Sequence, residues 1–250
     1  MNSLQRVLIE KAGREHGFEN VLIAEVNAVS LGSARHPVKV SIRLDGDVLY
    51  LILPEGLLSD ELGRDHIFKT ANGMCFPAAD IAQLAQLLLR TAALAQSLPN
   101  QAAVDFETQV QDALLNLPKN GTEIERMVRQ RIGQNTFRNA MLEYWGSACA
   151  VTGINVPQVL RASHAKPWAE CDDDIERLDV FNGFLLNANL DALFDRFLIS
   201  FSCDGRILIS TKLTKLQLEL LGINESLKLR WIAKQHISYL KFHHDRFLSL

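Results

Sequence analysis

Between Ala162 and Phe201 the sequence reads ASHAKPWAECDDDIERLDVFNGFLLNANLDALFDRFLISF. One histidine, His164, precedes a Lys-Pro-Trp turn. Asn182 opens an Asn-Gly pair. Asp191 follows nine residues later, and Asp195 four after that. These residue types suit the hydrolysis of a phosphodiester. A water must be deprotonated in line with phosphorus, and a neutral imidazole can take that proton. The imidazole needs a fixed tautomer, for which an asparagine amide oxygen is a suitable partner. The charge that develops on phosphate and leaving oxygen must be neutralised, which a divalent cation held by a carboxylate can do. His164, Asn182 and Asp191 supply those three roles in chain order.

Such residues work only if the chain brings them together, and the surrounding pattern offers the means. VLRASH reads as a strand ending on His164, and FLL as a short strand after the Asn-Gly pair. NLDALFDRF reads as a helix with Asp191 in its first turn. That ββα order sets the end of one strand opposite the first turn of a helix. Around it, Thr122 and Glu125 fit a capping box that opens a long helix, TEIERMVRQRIGQNTFRNAMLEYWG, with Ile124, Met127, Val128 and Ile132 at helical spacing. Its arginines 126, 129, 131 and 138 read as a solvated face, or as phosphate contacts for one or two of them. CAVTG reads as a short strand and turn, and FLISFSCDGRILIS as a hairpin on Asp-Gly. TKLTKLQLELLG and HISYLKFHHDRFL read as closing helices.

From about Gly133 onward the chain resembles the bacterial HNH endonucleases, in the subgroup with one metal and no zinc-knuckle cysteines. The resemblance rests on GQNTFRNAMLEYWGSACAVTG, ASHAKPW, ERLDVFNGFLLNANLDALFDRFLISF and HISYLKFHHDRFL, in that order. It implies an α+β protein whose C-terminal part is a ββα-metal nuclease domain with flanking helices. It further implies His164 as general base, Asn182 as the orienting asparagine and Asp191 as a metal ligand. Many members carry His at the Asp191 position; a carboxylate there favours Mg²⁺ or Mn²⁺ over zinc. Many also carry Asp or His where this chain has Ser163, a weaker ligand that would leave the metal resting on Asp191, substrate phosphate and water. Arg161, Lys166 and Arg196 are the expected contacts to DNA. The expected substrate is double-stranded DNA, and symmetric cutting of both strands would suit a homodimer.

Each residue also has a plainer reading. Alone, His164 reads as a buried, hydrogen-bonded histidine, Asn182-Gly183 as a turn, and Asp191 as a first-turn acid behind an Asn189 cap. Asp195 reads as a partner of Arg196 or Arg177, or as a second metal ligand. His243 and His244 read as structural or surface residues, Trp145 and Trp168 as core, and CDDDIE as a solvated loop. Cys149 pairs with Thr152 rather than with a second cysteine at C-x-x-C spacing, so no structural zinc is expected.

The first hundred residues read as a small α+β unit. A helix over 3–15 precedes strands at NVLIAEVNAV, PVKVSIRL and DVLYLIL, then a short helix at PEGLLSDELG and a longer one at DIAQLAQLLLRTAALAQSL. The breaker LPKNG puts a boundary near Pro118–Gly121. The expected division is therefore 1–118, a domain for target recognition, and 119–250, the nuclease. The 250 residues carry a net charge of −3, which counts against a basic nucleic-acid surface. No signal peptide or membrane span is legible, so a cytoplasmic enzyme of restriction or defence is the first reading. A catalytically weak HNH-fold module that binds DNA or a partner is the alternative. A toxin aimed at other cells would need an export or receptor-binding segment that the sequence does not display.

Overall fold

The structure is a computed structural model. It describes residues 1–65, 67–98, 101–115 and 122–249, without the side chains of 101, 105, 122 and 124. The chain forms two compact units, Met1–Gln96 and Ser97–Leu250. The expected boundary at Pro118–Gly121 lies outside the described residues.

In the first unit, α1 (Ser3–Glu15) starts on an Asn2 capping box closed by Gln5. A meander of β1 (Asn20–Ala24), β2 (Ala28–Gly32), β3 (Lys39–Asp45) and β4 (Val48–Ile52) follows. After α2 (Leu57–Arg64) comes β5 (Cys75–Ala78), and α3 (Ile81–Ser97) completes the unit. The five strands pair antiparallel in chain order. NVLIAEVNAV, read as one strand, is two: the chain reverses between Ala24 and Ala28, and Val21 pairs with Leu31. The short β5, with a proline at its centre, carries little strand signal and was not anticipated. Alternate residues of β2 to β5 are buried, among them Leu31, Ile42, Leu51 and Phe76. Ile9 of α1 and Leu84, Leu87 and Leu88 of α3 are buried with them.

The second unit begins with α4 (Gln101–Leu115), which packs along α5 (Thr122–Tyr144). The apolar face of α5 lies in its C-terminal half. Phe137, Met141 and Tyr144 are buried, whereas Met127, expected on the buried face, is 62% exposed. The Thr122 side chain of the anticipated capping box and the Ile124 side chain fall outside the description. CAVTG forms turns, not a strand. Its backbone bonds go to separate partners, Ala150 N–H to Leu185 O and Arg230 N–H to Ala150 O, so no ladder can build.

Next come β6 (Leu160–His164), α6 (Asp174–Leu178), β7 (Gly183–Asn187) and α7 (Ala188–Phe194). CDDDIE, expected as a loop, starts α6: the Asp173 carboxylate accepts the Glu176 N–H and caps the helix. Strands β6 and β7 pair antiparallel, His164 opposite Gly183, and α7 packs on both. The cap of α7 is Asn187, whose side chain accepts from Leu190 N–H, and not Asn189. The hairpin of β8 (Ile199–Phe201) and β9 (Ile207–Ile209) turns at Asp204-Gly205 as expected. Helices α8 (Lys215–Leu221) and α9 (His236–Ser249) follow, α9 lying on β8. Among the described residues, no helix is long and apolar enough to cross a membrane.

Candidate active site

His164 ends β6 with its ring held on three sides. Phe137 of α5 stacks on it, centroids 3.8 Å apart and planes within 21°. Trp168 meets it edge-on at 5.7 Å. The Arg177 carbonyl lies 2.9 Å from Nε2. A carbonyl only accepts, so Nε2 carries the hydrogen and Nδ1 keeps the lone pair. Burial between the two aromatic rings pushes the imidazole down to about 4, and the Arg177 carbonyl only partly offsets this. His164 is therefore neutral at neutral pH, with Nδ1 as its basic atom.

Two glycines make this packing possible. A Cβ on Gly183 would lie 2.1 Å from the Ser163 carbonyl oxygen, so the Asn-Gly pair is required by the close approach of β7 to β6. A Cβ on Gly133 would lie 2.3 Å from the Trp168 ring, so Gly133 is the seat of that indole on α5. Trp168 is thus half-buried beside His164 rather than a core residue like Trp145.

Asn182 is fully buried, but its amide does not hold the imidazole. Its Oδ1 accepts the Lys166 N–H at 2.8 Å. Its Nδ2 donates to the carbonyls of Lys166 at 3.3 Å and Glu176 at 3.1 Å. The orienting contact to the ring comes instead from Arg177, the residue after Glu176. Asn182 positions His164 at one remove, by tying down the loop on which that carbonyl is carried. The reason is register. Asn182 precedes β7, and its own carbonyl accepts from Ala165 N–H, which turns its side chain into the loop after His164.

Ser163 and Asp191 come together: Ser163 Oγ donates to Asp191 Oδ1 at 2.5 Å. Asp195, one helical turn further, lines a cleft of about 310 Å³ with His164, Trp168, Phe197 and His243. Desolvation, and then the charge of Asp191, push the Asp195 carboxyl up to about 6, against a smaller opposing effect of Arg196. Two carboxylates and a hydroxyl are hard oxygen donors, the set that suits Mg²⁺ or Mn²⁺. Among the described residues, no three His, Cys, Asp or Glu side chains gather as a ready-made metal cluster.

The cations expected to meet DNA divide. Lys166 is engaged by Glu176 at 2.8 Å and by Asp172 at 3.4 Å, and its amine is largely covered. Arg161 is exposed but folds back on the carbonyls of Gln158 and Leu160. Arg196 is exposed, with one long contact to the Ala192 carbonyl at 3.4 Å. On α5, Arg129 binds Glu107 and Arg138 binds the carbonyls of Leu160 and Pro157. Asp195 makes no salt bridge to Arg177, whose partner is Asp174. His243 is buried as a structural histidine: Nε2 donates to the Phe194 carbonyl at 3.0 Å, and Nδ1 faces Ser200 Oγ at 2.9 Å. It also walls the cleft, which its position on a terminal helix did not announce.

This geometry coincides with a family assignment. Residues 149–202 match the family described as HNH endonuclease. No curated protein matches the chain. The matched segment runs from Cys149 through β6, β7 and α7 to the end of β8, and contains Ser163, His164, Asn182, Asp191 and Asp195. An HNH domain in the C-terminal half points to nuclease activity on nucleic acid, and such nucleases typically depend on a divalent metal.

Proposed function

We propose that the protein is a divalent-metal-dependent endonuclease that hydrolyses DNA phosphodiester bonds through a ββα-metal site on β6, β7 and α7. The observation that carries this reading is the convergence, within the HNH segment, of His164 and Asp195 on one cleft and of Ser163 with Asp191 beside it. Nδ1 of His164 takes the proton from the attacking water. Asp191 and Asp195, with Ser163 Oγ and water, would hold Mg²⁺ or Mn²⁺, which when bound neutralises charge on the phosphate and the leaving oxygen. The carboxylates otherwise repel each other across one helical turn, and a cation relieves that repulsion. Arg161 and Arg196 are the exposed cations on β6 and beside α7 available to phosphates. Restriction or defence against foreign DNA, with target choice by the first unit, is the setting this chemistry fits.

The test is incubation of the full chain with plasmid DNA of several modification states, with Mg²⁺, with Mn²⁺ and with chelator. Metal-dependent cutting that is lost in His164→Ala and Asp191→Asn is expected. Cutting that persists in chelator, or in Asp191→Asn at the parent's metal requirement, would sink the metal assignment.

A further inference from the structure

Helix α7 ends in a way that its sequence does not favour. Leu198 N–H donates to the Leu193 carbonyl and Phe197 N–H to the Phe194 carbonyl, both at 2.9 Å. This bond pair places Phe197 at the position after the helix where the backbone turns left-handed and glycine is usual. Phe197 sits there at φ 55°. A bulky residue held in that region is strained, and such strain concentrates at functional sites. The ring it supports is half-buried and walls the cleft shared by His164, Trp168 and Asp195. His243 supports it at 4.7 Å and the Arg246 guanidinium at 5.9 Å.

The cations around this cleft are largely neutralised in place. Lys166 faces Glu176, Arg177 faces Asp174, and Arg246 is bound by both oxygens of Glu170. The chain as a whole is at −3. Phosphate attraction, the main source of affinity for duplex DNA, is therefore left beside His164 to the exposed Arg161 and Arg196. Aromatic surface is well provided, and stacking on it tolerates any base.

We propose that the cleft is a base-accepting subsite, in which a nucleobase unstacked from the substrate strand lies against Phe197 next to the scissile phosphate. The preferred substrate then carries an unpaired nucleotide at the cut: a single strand, a bulge or a frayed end. This rests on the nuclease reading and specifies its substrate.

The experiment uses the full chain and a short single-stranded oligonucleotide carrying 2-aminopurine, whose fluorescence is quenched by stacking. Binding is followed in chelator, and cleavage separately with Mg²⁺. The parent is expected to quench the probe, and to quench the same probe less in a fully paired duplex. Phe197→Gly and Phe197→Ala are expected to weaken single-strand affinity by about 5- to 150-fold, the range of one aromatic–base stack, while Phe197→Tyr retains it. Phe197→Gly, free of backbone strain, should melt about 2–4 °C above Phe197→Ala, so a folded variant is available for the binding assay. Quenching and affinity unchanged in folded Phe197→Gly would overturn the subsite. So would a parent that cuts DNA without quenching the probe, and that result would leave the nuclease reading standing. A parent that quenches through Phe197 but never cuts would support the subsite and sink the nuclease reading.

Discussion

The His164 imidazole is clamped by a carbonyl at Nε2 and covered by Phe137, so its substitution should separate chemistry from binding. His164→Ala is expected to lower cleavage by about 10²–10⁴-fold, the usual worth of a general base, with nucleic-acid binding retained. Equal loss of binding and cutting together with a lower melting temperature would instead mark the ring as structural. Its acidity also enters stability. His164 and His243 are both held near 4 by burial, whereas an unfolded histidine titrates near about 6.5. Between those values the unfolded chain binds more protons, so stability falls as pH drops from about 6.5 toward 4. Asp195, held near 6, has the opposite sign and offsets part of the loss. Denaturation midpoints at neutral and acidic pH should therefore converge in His243→Gln. In chelator, Asp195→Asn should raise the melting temperature at neutral pH by removing the repulsion with Asp191; an unchanged or lower value would mean the two carboxylates are not in conflict.

The pairing of β6 with β7 depends on a position where no side chain fits. Gly183→Ala would drive a methyl into the Ser163 carbonyl, and overpacking of this kind typically costs about 1–3 kcal/mol. Calorimetry should show that loss, and a variant as stable as the parent would mean that the strands can separate without penalty. At this scale the sequence was a fair guide. The strand ending on His164, the strand after Asn-Gly, the helix carrying Asp191 and the Asp-Gly hairpin all stand where alternation and turn residues put them. What was not legible has tertiary causes. The role of Asn182 depends on which way its side chain turns at the start of β7. Phe137 and Trp168 look like core residues until His164 is seen between them. The left-handed backbone at Phe197 leaves no trace in a sequence that offers phenylalanine where glycine is usual. Asp173 caps a helix in what reads as an acidic loop.

Over the whole molecule, α4 falls within the second compact unit, Ser97–Leu250. Phe106 and Val110 of α4 are buried, and burying each contributes about 1.5–3 kcal/mol. A fragment beginning at Ser97 is thus expected to unfold cooperatively at a higher temperature than one beginning at Lys119, and equal melting would detach α4 from the unit. The same unit is closed by partners remote in sequence. Glu170 is bound by Arg246, Asp179 by Tyr239, and Trp145 stacks on Trp231. Joining such distant segments carries a loop-closure entropy that local helices and hairpins avoid. In kinetic terms, β6, β7 and α7 can assemble early from neighbouring residues, while the cleft wall supplied by α9 must arrive late. A partly folded chain would then display His164 and Asp195 with no chamber around them, and the cleft would close in one last step, the docking of α9.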